Sequence, residues 1–301
     1  MNISKIIDTI EEHKKRFNEL LENKNNLFVL NEWLKKELSF TSNAIEGNTL
    51  TRKETSIAID ENITTGNKPI QYYQEALNHA KAFEFVKTFV NEKHSINEGT
   101  ILAIHKIILD GINTENAGIY RNVRVIISCS PVVLPNPLKV PDLMDDFGSW
   151  LVQNQASIFD AFEAHYRLVS IHPFIDGNGR TARLLMNLML MKNGYSPIII
   201  RQIDRRRYIN AIELKQTEAN AERYQVFMLK ALERSMKTAI ALLDDKTDQK
   251  KLLTISKFAR LYNVPVSTIR CWVKSGKIRP TAYSDAGYML FDAEMQVEAV
   301  K

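Results

Sequence analysis

Apolar residues recur at helical spacing through most of residues 1–245, with no sustained alternation of period two. LNEWLKKELSF (30–40), ILAIHKIILDGI (101–112), VPDLMDDFGSWLVQN (140–154) and FDAFEAHYRLVSI (159–171) each gather apolar side chains at i, i+3, i+4 spacing and read as helices. Pro and Gly cluster around SCSPVVLPNPLKVP (128–141), which reads as an exposed loop or short hairpin before the next helix. The polar stretch DDKTDQKK (244–251) then breaks the pattern. Beyond it the spacing predicts a short helix, a turn, a second helix and, in IRPTAYSDAGYMLFD (278–292), a small β-hairpin. The expectation is an all-α body with a small module appended: an N-terminal helical region 1–95, a core 96–243, a linker 244–252 and a module 253–301.

At 301 residues the chain is long enough for two or three domains, and its 45% apolar, 25% charged composition is that of a globular protein. The two cysteines, Cys129 and Cys271, are far apart and lack metal-ligand spacing, which suits a reducing compartment rather than a disulfide scaffold. The opening MNISKIIDTIEEHKKRF has no continuous apolar core, so it does not read as a secretory signal. The longest apolar run, LLMNLMLM (184–191), is too short for a bilayer and reads as a buried helix. A cytoplasmic protein with no membrane partner is expected. The charge is unevenly placed. Residues 250–301 hold nine Lys/Arg against four Asp/Glu, and the formal surplus of +5 lies entirely there. That tail is a candidate for an anionic partner.

The densest chemistry is HPFIDGNGRTAR (172–183). Pro173 disfavours helical geometry at His172, so a helix should end there and present the imidazole in a loop. Gly177 and Gly179 free the backbone for positive φ, with a new helix from about Thr181. Amides of a glycine-rich turn entering a helix N-terminus cradle anions, and Arg180 and Arg183, one turn apart, add planar donors suited to phosphate. Asp176 is a hard oxygen ligand beside them, as a Mg²⁺ bridging phosphates requires, and His172 is the nearby group able to take a proton at neutral pH. Taken singly, each residue fits an ordinary helix–loop–helix turn. The combination supplies a base, a metal carboxylate and an oligophosphate site, the parts for transferring a phosphorus-containing group to a hydroxyl.

This stretch matches H-P-F-x-[D/E]-G-N-G-R-x-x-R and so resembles the Fic family. GIYRNVRVIIS (118–128) is similar to that family's Tyr-Arg segment leading into its flap, and RRRYINAI (205–212) to the segment behind its adenine pocket; the similarity spans roughly 30–235. The resemblance implies a Fic-type helical bundle with a small β-hairpin flap. It also implies adenylyl transfer (AMPylation): AMP passes from ATP to a Tyr, Thr or Ser hydroxyl of a protein target, or of the protein itself, with release of pyrophosphate. By the same resemblance His172 is the general base, Asp176 holds Mg²⁺, and Gly177, Asn178, Gly179 and Thr181 form the nucleotide turn. Arg180 and Arg183 hold outer phosphates, and Tyr208 and Gln216 are candidates for the adenine side. Ile127, Ser128, Cys129 and Ser130 form the flap that aligns the target as an added strand. The flap carries Cys129-Ser130 where relatives often have Gly-Ser. Phosphotransferase relatives replace the second half of the Gly-Asn-Gly-Arg string, and its retention here favours AMP transfer. A homodimer is in keeping with the family.

TSNAIEGN (41–48) sets Ser42 and Glu46 four apart, on one helix face, with Gly47 as a helix stop. Alone this is a helix C-terminus with a solvated glutamate. It also matches the family's inhibitory pattern, [S/T]-x-x-x-E-[G/N], which implies that Glu46 pairs with Arg183 and takes the place of the γ-phosphate. Some relatives with such a glutamate also remove AMP.

In LTISKFARLYNVPVSTIRCWVKSGKIRP (253–280) a second helix begins near Pro265, and Ile255, Phe258, Ala259, Leu261, Val264, Ile269 and Trp272 would form a miniature core. Arg270, Lys274, Lys277 and Arg279 would stay outside. The segment resembles the winged helix-turn-helix of excisionase- and MerR-like regulators, which implies DNA contacts through Ser267, Thr268, Arg270, Lys274 and Lys277. A DNA-binding regulator with the helical body secondary is the competing reading; a module recruiting a protein target is the other.

Overall fold

The structure is a computed structural model that describes residues 3–91, 95–127, 130–218, 221–244, 252–283, 289–292 and 295. Two compact units divide the chain, Met1–Leu243 and Asp244–Lys301.

Among the described residues the first unit is helical: α1 (Ile3–Leu21), α2 (Lys24–Ile45), α3 (Arg52–Glu61), α4 (Ile70–Asn91), α5 (Glu98–Leu109), α6 (Val140–Gln153), α7 (Ile158–Ile171), α8 (Asn178–Lys192), α9 (Arg205–Glu218) and α10 (Ala221–Leu243). Local chemistry sets the starts. Asn97 and Thr100 form a reciprocal cap on α5, and Ser157 and Asp160 do the same on α7.

At the centre lies α8. Every residue from Arg180 to Leu190 is buried, including the apolar run read from the sequence. A helix buried all round must be surrounded, and α7, α4, α5 and α2 surround it. Leu185 and Met189 are fully enclosed, so truncating either to Ala costs about 2–5 kcal/mol. Asn187 breaks the run for a reason: its Oδ1 accepts from the Ile198 amide at 2.8 Å and its Nδ2 donates to the Ile198 carbonyl at 3.2 Å. The returning chain is thus stitched to the central helix. Residues 1–95 are not a separate body, because α1 lies along α10 while α2 and α4 pack on α8. No described helix is long and apolar enough to cross a membrane.

The expected β-hairpin flap is not present among the described residues of 119–136, none of which is in a strand. Prolines at 131, 135 and 137 lack the N–H that a ladder needs.

In the second unit, α11 (Ile255–Leu261) and α12 (Val266–Lys274) accompany β1 (Leu252–Thr254), β2 (Ala282–Tyr283) and β3 (Met289–Asp292). The strands form an antiparallel sheet in the order β1-β3-β2, with Leu253 opposite Phe291 and Ala282 opposite Leu290. The hairpin was expected; its third strand, β1, was not, because three residues carry too little pattern. Phe258, Ala259, Ile269, Ile278 and Phe291 make the core, with Ile255, Val264 and Trp272 against it. Leu261, assigned to that core from spacing, is instead 54% exposed, since α11 ends there and turns its last residue outward. Most of the expected linker, 245–251, lies outside the described residues.

Candidate active site

The loop between α7 and α8 holds the site. At its start α7 ends at Ile171, and His172 adopts the left-handed conformation (φ 51°, ψ 58°) while its amide still bonds Leu168 O at 2.9 Å. Pro173 cannot extend the helix. The turn is then pinned by Arg121, which is 3% exposed. Its amide donates to Pro173 O at 2.8 Å, its Nε to His172 O at 2.8 Å, and its Nη2 to Pro135 O at 2.7 Å. Asn178 closes the loop on itself: Oδ1 accepts from Phe174 N and Nδ2 donates to Phe174 O, both at 2.9 Å.

Beneath this lies His105, whose ring stacks on Phe174 at 3.5 Å. Gly118 N donates to its Nδ1 at 2.9 Å, which leaves Nε2–H to donate to Asp176 O at 2.9 Å. Burial pushes this imidazole down to about 4, so it is neutral and serves as a fixed post. Gly177 has φ +78°, and a Cβ there would come within 3.2 Å of the His105 ring. Glycine is required at this position on both counts.

Three details depart from the sequence-based expectation. The helix begins at Asn178 rather than Thr181, so Gly179 is helical and has no positive φ. A Cβ there would overlap Glu46 Oε1 and lie 3.0 Å from Arg183 Nη1, so a larger residue would displace the glutamate's carboxylate. The side chains of Asn178 and Thr181 are buried, the first committed to Phe174 and the second at 0% exposure, so neither reaches a ligand in this arrangement. Their backbone at the α8 N-terminus is what an anion would meet.

His172 is partly exposed, and its Nδ1–H donates to Val169 O at 3.3 Å, leaving Nε2 as the free acceptor. Burial holds the imidazole below its ordinary value, against the opposing pull of the Val169 carbonyl, so it is neutral at pH 7. Asp176 is 55% exposed at its side chain, accepting from Gly177 N at 2.6 Å and from Arg180 Nη2 at 2.9 Å.

The two arginines are enclosed by helices distant in sequence. Arg183 donates from Nε to Ser42 Oγ at 2.9 Å, and from Nη2 to Ser42 O at 3.0 Å and Glu46 Oε1 at 2.7 Å. Desolvation alone would lower this guanidinium, but the Glu46 carboxylate outweighs it and holds Arg183 above its ordinary value. Ser42 is in the last turns of α2, Glu46 caps it, and Gly47 turns away at φ 99°. Arg205 Nε ties down the end of α2 through Ile45 O at 2.6 Å. Arg180 is 3% exposed and meets, besides Asp176, Glu75 of α4 at 3.6 Å.

Tyr208 belongs to the core rather than to an open pocket. It is 3% exposed, and its hydroxyl lies 2.6 Å from Nε2 of buried His165. Gln216 is partly exposed, donates to Ser170 Oγ at 3.0 Å and lines an open groove with Pro131, Val133, Pro135 and Tyr166. Of the expected flap, Ser128 and Cys129 lie outside the described residues; Ser130 donates to Glu213 at 3.0 Å and its amide bonds Ile127 O at 3.2 Å. In the second unit Ser267, Arg270, Lys274 and Lys277 are exposed and Thr268 partly so. His105, Arg121 and Glu75 were missed. Arg121 lay within a quoted segment, but nothing in the sequence joins Glu75 to an arginine 105 positions away.

The described body is thus a helical protein in which one loop joins a neutral imidazole, at the end of α7, to a helix N-terminus followed by two enclosed arginines. Residues 95–190 match the Fic/DOC family, and residues 254–291 match the MerR family regulatory protein model. The chain is 39% identical over 174 residues to a protein adenylyltransferase Fic of Nematostella vectensis, covering 56% of this chain and 40% of that one. It is 35% identical over 202 residues to one of Aedes aegypti, covering 65% and 40%. The chain thus spans about two fifths of these relatives' length. A Fic domain containing signaling protein from Bacteroides thetaiotaomicron superposes with a TM-score of 0.71 at 26% identity, over 79% of this chain and 97% of that one.

Proposed function

We propose that this protein transfers AMP from ATP to a hydroxyl of a protein side chain, and that Glu46 restrains the reaction. The carrying observation is the 172–183 loop, which leads from neutral His172, its Nε2 left as the acceptor, directly into the α8 N-terminus at Asn178. In this reading the nucleotide's phosphates lie over the amides of 177–180, with Arg180 and Arg183 on the outer groups. The target hydroxyl attacks the α-phosphorus as His172 Nε2 accepts its proton. The bond to the bridging oxygen breaks, and pyrophosphate leaves.

Mg²⁺ suits the donors present. Among the described residues no three His, Cys, Asp or Glu gather as a metal cage, while the half-exposed carboxylate of Asp176 stands beside the proposed phosphates. One carboxylate plus phosphate oxygens is how Mg²⁺ is commonly held. Asp176 would hold it, and the cation would neutralise charge on the phosphates.

Glu46 supplies the restraint by competition. While its Oε1 holds Arg183 at 2.7 Å, a γ-phosphate meets a carboxylate where it needs a cation. The glutamate is 39% exposed, and the same position would let it align water for removing AMP once displaced.

Incubating the Glu46→Gly protein with lysate and ATP labelled at the α- or the γ-phosphate tests the reading. Label from the α-position alone should appear on protein, itself included. Transfer of γ-label, or of none, would exclude adenylyl transfer.

For the second unit, the MerR match and the exposed Arg270, Lys274 and Lys277 on or just after α12 support DNA binding, α12 entering the major groove and the cations holding phosphates. The working division is then an N-terminal regulatory region, a catalytic core, a linker and a DNA-binding module, with a homodimer a further part of the proposal.

A further inference from the structure

Glu75 is the group that the reaction as proposed leaves unexplained. It lies on α4 at 9% exposure, and three side chains converge on it. Asn48 Nδ2 donates to Oε2 at 2.8 Å, Gln71 Nε2 to Oε1 at 3.2 Å, and Arg180 Nη1 stands 3.6 Å from Oε1. The last distance makes an ion pair without a hydrogen bond. Arg180 Nε and Nη1 are buried and have no hydrogen-bond partner among the described residues, while Nη2 is held by Asp176.

A buried guanidinium needs a counter-charge, and an incompletely bonded one lies in more than one orientation unless something fixes it. Asp176 does not serve throughout, because it is half exposed and is the carboxylate that the proposed cation engages. Glu75 cannot leave: Asn48 and Gln71 hold it from two sides. Asn48, two residues beyond Glu46, has a further tie, since its Nδ2 also donates to Tyr72 O at 3.0 Å and its amide to Asn43 O at 3.1 Å. The turn after Glu46 and the buried Arg180 therefore meet on one carboxylate.

We infer that Glu75 is a positioning residue for the nucleotide phosphates: it fixes the Arg180 guanidinium from behind and, through Asn48, ties that orientation to the seating of the turn after Glu46. This rests on the adenylyl-transfer reading of the same site. A merely structural glutamate would stabilise α4 without regard to Arg180.

The test measures Mg–ATP affinity by titration calorimetry on the full-length Glu46→Gly protein, with and without Glu75→Gln, each again in an Arg180→Met background. Gln keeps the shape of the side chain and an acceptor for Asn48, and a thermal melt reports folding. Glu75→Gln should weaken affinity about tenfold when Arg180 is present and change it less than twofold when Arg180 is Met. Unchanged or tighter binding, or an equal loss in both backgrounds, overturns the inference. Should Glu75→Gln not fold, Asn48→Ser removes the donor to Oε2 and should weaken affinity several-fold in the Arg180 background only; equal effects again overturn it. A Glu46→Gly parent that binds no ATP sinks the functional reading itself, an outcome separate from the others.

Discussion

Positive charge is handled in opposite ways by the two units. In the first, Arg180 and Arg183 are 3% and 5% exposed, and carboxylates from the cap of α2, from α4 and from the motif loop stand against them. In the second, Arg270, Lys274, Lys277 and Arg279 stand exposed around a small apolar core. The physical consequences differ. Desolvating Arg183 has been met during folding, so in the proposed reading an arriving anion has only to replace Glu46, and one side chain would gate the site. Exposed cations gain little individually from an anion, are screened by salt, and act only in sum. A buried cluster can be switched; a displayed one can only be tuned.

The largest expected effect removes the proposed base, His172. His172→Ala in the Glu46→Gly background should cut labelled AMP transfer by roughly 10²–10⁴-fold, with ATP affinity nearly unchanged. Because burial holds His172 below its ordinary value, the acid limb of kcat/KM should lie below pH 6.5, with a plateau through neutrality. A limb above pH 7, or full activity without the imidazole, would exclude it as the base.

Releasing the gate comes next. Glu46→Gly should raise transfer at fixed ATP by roughly tenfold or more, the factor that about 1.4 kcal/mol of lost competition represents. An equal gain from salt alone in the wild type would place the gate with the screened charges and erase the contrast between the units.

Much of this was legible beforehand, and the limits have a physical origin. Central α8 was readable because a run such as LLMNLMLM has no other place than a core, and Ser42, Glu46 and Arg183 were readable because each sat in a short motif. The backbone glycine logic was half right. Gly177 does need positive φ, whereas Gly179 is helical, and the space beside it is filled by the carboxylate of Glu46, the cap of α2 133 positions away. Asn178 and Thr181 look like ligands in one dimension and turn inward in three, because α8 starts three residues earlier than the turn chemistry suggested. His105 and Glu75 left no signal: their partners, Asp176 and Arg180, arrive through tertiary packing.

Buried histidines give the first unit a second distinguishing property. Burial pushes His79 down to about 3, His165 to about 3 and His105 to about 4. Between those values and about 6.5 the unfolded chain binds more protons than the folded one, so stability is complete above pH 6.5 and falls as pH drops through that window. Helical circular dichroism at fixed temperature should show the body melting on acidification before its carboxylates titrate, and His165→Phe, which also frees the Tyr208 and Tyr224 hydroxyls, should flatten the slope while lowering stability at neutral pH. A melting temperature constant from pH 7 to 4.5 would show that these rings are not held neutral.

The smallest effects belong to the displayed cations, and their size is itself the point. If α12 meets DNA through phosphate contacts, the affinity of the full chain for duplex should fall linearly on logarithmic axes with salt, by nearly one power per contact. Replacing Lys274 or Lys277 with Ala should then weaken binding to all sequences alike and reduce the slope by about one. Arg270→Ala should do more only if its guanidinium reads a base edge, in which case discrimination between sequences drops while the slope stays nearly constant. None of these changes should alter AMP transfer to a target presented in excess, because exposed charges couple to their surroundings through solvent rather than through packed partners. Titrating duplex DNA across 50–200 mM salt decides the matter: a slope near zero would mean that the surplus of positive charge in this unit meets something other than a polyphosphate backbone.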